Sequence, residues 1–141
     1  MNSDTQNLLQ QCRAGIQMGI DSIEDVIGDV RNPDLRQVLA DSRKRHQNLI
    51  DRADALLPCG EHKEPNPMAK AMSAIKTEVK MALDGSDATA AGLITDGCHM
   101  GIKSLYQYLN RYPDADATAR TLTVDTAVEE ENLAREMRTY L

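Results

Sequence analysis

An all-α fold follows from three observations on the 141-residue sequence. Apolar residues recur at intervals of three and four almost throughout, the period of one helix face. No stretch alternates apolar and polar residues with the β-branched enrichment of a strand. The breaks between periodic runs are short, and they carry the Pro, Gly, Asn and Asp residues that end one helix and cap the next. The length suits a single helical domain, 1–141, with one core.

The first helix spans 3–30, with Leu9, Cys12, Ile16, Ile20, Ile23, Ile27 and Val30 on one face and Ser3 or Asp4 as N-cap. "NPD" at 32–34 ends it and opens a second helix over 34–57, with Asn32 as cap and Pro33 at the first position. The seam of that helix is Leu35, Leu39, Ser42, His46, Leu49, Ala53 and Leu56. "PCGEHKEPNP" at 58–67 reads as a loop, with three prolines and a glycine. A shorter helix over 67–83 follows, with Met68, Met72, Ile75, Val79 and Ala82 on one face. "DGSD" at 84–87 breaks the chain and caps the next helix, 87–112, whose seam is Ala91, Ile94 or Thr95, Cys98, Ile102, Leu105 and Leu109. "YPD" at 112–114 turns the chain into a last helix, 114–140, with a weaker seam of Val124, Ala127, Glu131, Ala134 and Leu141. Short turns make flanking helices antiparallel. The four long helices therefore run up, down, down, up, with the short helix as crossover between the second and third long ones.

Apolar residues make up 41% and charged residues 27%, a balance that suits a soluble globular chain. The net charge of −6 and the lack of a basic stripe argue against nucleic acid or an anionic membrane as partner. No apolar run approaches the ~18–20 residues of a membrane span. "MNSDTQNLLQ" has neither the basic nor the apolar region of an export signal, so a cytoplasmic location with reduced Cys12, Cys59 and Cys98 is expected. Phe and Trp are absent, which leaves Leu, Ile, Val, Ala and Met to fill the core.

Two stretches carry a resemblance: "NPDLRQVLADSRKRHQNLIDRADAL" and "KTEVKMALDGSDATAAGLITDGCHMGIKSLYQYLNR", an acidic-glycine break followed by a long helix ending in an aromatic. With its helix lengths, the chain resembles a ferritin-like four-helix-bundle family of bacterial proteins of unknown function. The resemblance spans nearly the whole chain. It implies a ferritin-like bundle, and it raises the prospect of an iron or manganese pair held by inward carboxylates and histidines.

The nearest counterparts of such ligands are Glu24, His46, Asp96, His99 and Glu130 or Glu131. The pattern departs from the expected set. Arg43 stands three residues before His46, and Leu133 and Ala134 stand three after Glu130 and Glu131, where a histidine would be needed. Helical rise separates the levels as well: Glu24 lies ~9 Å and His46 ~18 Å from the 31–33 turn, while His99 lies ~20 Å and Glu131 ~26 Å from the 112–114 turn. The carboxylates thus miss the histidine level by roughly 6–9 Å. At that level the first helix presents Gln17 or Met18, and the last presents Ala127 or Val128.

The stretch "DGCHMGIKSLYQY" at 96–108 is accordingly read as a core helix: Cys98 a small buried group, Asp96 and His99 at its margin, Gly97 and Gly101 allowing close approach. His46, on the apolar stripe itself, is expected to be hydrogen-bonded in the core, with Glu131 as partner. Cys59-Gly-Glu-His62 has the spacing of half a zinc site but reads as a solvated loop. No phosphate loop or nucleophile elbow is present. No catalytic residue and no cofactor is expected. The expected role is association, as a homodimer or other homo-oligomer or with a protein partner, suggested by the Met68, Met72, Ile75 and Val79 stripe with Met81 nearby. The competing reading is a di-metal oxidoreductase or metal-storage protein holding iron or manganese.

Overall fold

A computed structural model of the chain describes residues 1–58, 81 and 84–141. Four α-helices account for most of them: α1 (Ser3–Ile27), α2 (Pro33–Leu56), α3 (Asp87–Arg111) and α4 (Ala117–Met137). A short 3-10 turn, Arg138–Tyr140, follows α4. No strand occurs among the described residues, and no described helix is long and apolar enough to cross a membrane. The crossover helix expected over 67–83, its methionine stripe and Cys59-x-x-His62 lie outside the described residues; Met81, at the edge of that segment, is buried.

Each helix starts where a side chain can replace a missing backbone acceptor for its free N–H groups. Asn32 accepts from the Asp34 and Leu35 amides, with Pro33 at the first turn, as the "NPD" sequence requires. Ser86 caps α3. The cap of α1 is Asn2 rather than Ser3 or Asp4. The cap of α4 is Asp116, so that helix begins three residues later than the turn at 112–114 suggests.

Hydrogen bonds tie the helix ends together. Asp87, at the start of α3, accepts from the backbone N–H groups of Arg31 and Asn32 at 2.8 and 2.9 Å, between α1 and α2. At the opposite end of α1, Asp4 accepts from the Asp114 amide at 2.9 Å and Thr5 from the Asp116 amide at 2.8 Å. α1 packs against α2, α3 and α4, and α4 also packs against α2 and α3.

Between these ends the core falls into two apolar clusters. One gathers Leu8, Leu9, Cys12, Ile16, Leu49, Leu105, Leu109 and Leu122 with their neighbours. The other gathers Ile23, Val26, Leu35, Leu39, Ile94, Cys98, Leu133 and Met137. Each buried Leu or Ile contributes about 1.5–3 kcal/mol by leaving water. Between the two clusters α2 buries Ser42 and His46 and α4 buries Glu129 and Glu130, and there the candidate site lies.

Candidate functional site

On α2, Leu39 belongs to one cluster and Leu49 to the other. Ser42 and His46 stand between them, one turn apart, and both are fully buried. On α4, Glu129 and Glu130 lie between Ala127 and Leu133. Neighbouring helix positions point about 100° apart, so the two glutamates face different partners. Glu130 is 6% exposed and points at His46; Glu129 is 8% exposed and points toward Ser42 and the α2 surface.

The imidazole is held at both nitrogens. Nδ1 lies 2.8 Å from the Ser42 backbone carbonyl, which can only accept. Nε2 lies 2.5 Å from Glu130 Oε1. Burial alone would lower the His46 pKa, but the hydrogen bond and charge of Glu130, with help from the Ser42 carbonyl and Glu129, outweigh it and raise the value above 6.5. With an acceptor at each nitrogen, the site favours the doubly protonated ring over the neutral one. Ser42 Oγ donates to Glu129 Oε1 at 2.9 Å, and Arg45 Nε reaches both Glu129 oxygens at 3.0 and 2.9 Å. Arg45 also touches Glu136 at 3.5 Å.

A glycine makes room for the ring. A Cβ on Gly19 of α1 would stand 2.8 Å from His46 Cδ2 and Nε2, closer than real contacts allow. The ring cannot yield easily, because both nitrogens are anchored. On α3, Gly101 lies against the Glu130 carboxylate, and the Cys98 thiol hydrogen-bonds to it.

The sequence expectation that His46 pairs with Glu131 is corrected by one residue: Glu131 is exposed, and Glu130 makes the contact. The reason is the phase of α4. Ala119, Leu122, Thr126, Leu133 and Met137 face inward, whereas Val124 and Val128 face out. With α4 starting at Ala117, Glu130 lies thirteen residues along it, ~20 Å, which is the histidine level. The first helix presents Gly19 there rather than Gln17 or Met18, and the last presents Glu130 rather than Ala127 or Val128. Of the other proposed ligands, Glu24, Asp96 and His99 are exposed. Gly97 is exposed too, with nothing near its hypothetical Cβ, so of the two only Gly101 faces a side chain of another helix, and at ordinary contact distance.

Among the described residues no group of three His, Cys, Asp or Glu could hold a metal ion. The residues do not fit an iron or manganese pair: of the six candidates, only His46 and Glu130 meet, and they bind each other. A Ser–His–Glu relay is also ruled out by geometry. Ser42 Oγ is 3.3 Å from Nδ1, but its proton goes to Glu129, and the group is closed to solvent. Neither buried cysteine is a nucleophile. Burial, then the Glu130 charge, raises the Cys98 pKa, and burial likewise raises that of Cys12, whose thiol lies 3.5 Å from Thr126 Oγ1. What the layer can do chemically is hold one proton between His46 and Glu130.

Comparison of the chain with protein-family models, curated proteins and solved structures found no match.

Proposed function

We propose that the chain is a ferritin-like bundle, its long helices running up, down, down, up, that acts without catalysis by associating with a second copy or a protein partner. The direction of the helices is supported by Asp87 at the α1–α2 turn and by Asp114 and Asp116 at the start of α1. The role is supported by one contrast. The titratable groups inside are committed to one another, whereas α4 turns Val124 and Val128 outward. Val128, 45% exposed, borders a groove against α2 whose floor includes Leu49. An apolar strip beside Arg45, Arg52 and Asp125 has the mixed character of an association surface.

Light scattering tests this reading. The expected mass exceeds the 15.6 kDa of one chain, and Val124→Asp with Val128→Asp is expected to return it to that value. A wild-type monomer at every concentration would contradict self-association.

A further inference from the structure

Both ring nitrogens of His46 face acceptors, the Ser42 carbonyl at 2.8 Å and Glu130 Oε1 at 2.5 Å. A neutral imidazole has a single N–H and would turn a lone pair toward one of them. Removing one proton therefore sets two acceptors against each other in a buried place, and the contact opens. Ser42 is joined to Glu129 by its hydroxyl, and Glu129 to Arg45 by two hydrogen bonds. Glu129 and Arg45 also line the α2–α4 groove, of about 310 Å3. One glutamate thus belongs to both the buried layer and the surface.

We propose that the Ser42, His46, Glu129 and Glu130 layer is a proton-operated latch, which passes the charge of a buried imidazole through Ser42 and Glu129 to Arg45 in the α2–α4 groove. The step is the transfer of the Nε2 proton to water, with no other bond broken. With that proton in place, His46 and Arg45 balance Glu129 and Glu130. Without it, Arg45 is the one cation left among these four groups. It is drawn onto Glu129 and off its longer contact with Glu136, 3.5 Å. Among the described residues the other elements add no cation to the contact: α1 meets the ring with Gly19, and α3 meets Glu130 with Gly101 and the Cys98 thiol, which burial and Glu130 keep protonated. What the latch regulates rests on the reading of this groove as the association surface.

The test is 15N NMR of the full chain from about pH 6 to about pH 10, following the His46 ring nitrogens and Arg45 Nε. His46 is expected to lose its second ring proton above 6.5, with Arg45 Nε shifting along the same curve. Ser42→Ala keeps the Glu130 contact and the backbone carbonyl. It is expected to leave the His46 transition high while the linked Arg45 shift is lost. Glu130→Gln is expected to bring the transition below 6.5; if that variant does not fold, Ser42→Ala still decides the matter. A His46 transition at or below 6.5, an Arg45 signal flat through the His46 transition, or an Arg45 shift undiminished in Ser42→Ala would overturn the latch. None of these readings depends on the mass in solution, so latch and association fail separately.

Discussion

The two apolar clusters and the polar layer between them hold the same four helices by different physics. In the clusters, Leu8, Leu122, Leu39 and Leu133 gain by leaving water, a gain with no direction to it. In the layer, His46 meets Glu130, Ser42 meets Glu129, and Gly19 leaves the space for the ring. Turning α4 by one residue would put Thr121 or Thr123 where Leu122 packs, and Glu131 or Glu129 where Glu130 must be. The clusters supply the non-directional stability, and the layer adds a directed contact that reinforces the register, the role best attested for buried polar groups.

Removing one member of the pair sharpens that contrast most. Glu130→Ala leaves a buried imidazolium without its counter-ion and is expected to cost about 3–5 kcal/mol in urea unfolding. In the apolar cluster, Leu122→Ala is expected to cost about 2–5 kcal/mol through the cavity it leaves. The two are told apart by pH: the first cost shrinks as His46 loses its proton, and the second does not change. Gly19→Ala drives a methyl group into an anchored ring and is expected to cost about 1–3 kcal/mol. The same change at exposed Gly97, inside α3 and with open space around it, is expected to stabilise by up to about 1 kcal/mol, the helix-propensity gain of Ala over Gly. The smallest effects belong to the residues that point out. Glu131→Ala and His99→Ala are each expected to stay within about 0.5 kcal/mol. A His99→Ala cost equal to that of Glu130→Ala would remove the distinction between layer and surface.

How much of this was legible follows from how each helix signals its inner face. α1 and α2 carry strict apolar stripes, so Leu9, Cys12, Ile16, Ile20, Ile23, Leu35, Leu39, Ser42, His46, Leu49 and Ala53 are all buried as their spacing predicts. In α4 the stripe is blurred. Thr123, Thr126 and Glu130 face inward, while Val124 and Val128 face solvent, so apolar character alone sets the phase one residue off. Glu129, Glu130 and Glu131 are chemically identical, and only their angle on the helix separates them. The phase set by Ala119, Leu122, Leu133 and Met137 would have chosen Glu130. Gly19 was unreadable for a different reason: its role is the space it leaves for a residue on another helix, and that neighbour is set by tertiary packing.

The His46–Glu130 contact is tested most directly by urea unfolding of the wild type and of His46→Leu at a series of pH values. The folded His46 pKa is raised above 6.5. Its stabilising contribution is therefore complete below about 6.5, the unfolded value, and is lost as pH rises through the folded one. The wild-type unfolding free energy is expected to fall across that window while that of His46→Leu falls much less. Equal slopes in the two proteins would contradict a buried, charged His46 held by Glu130.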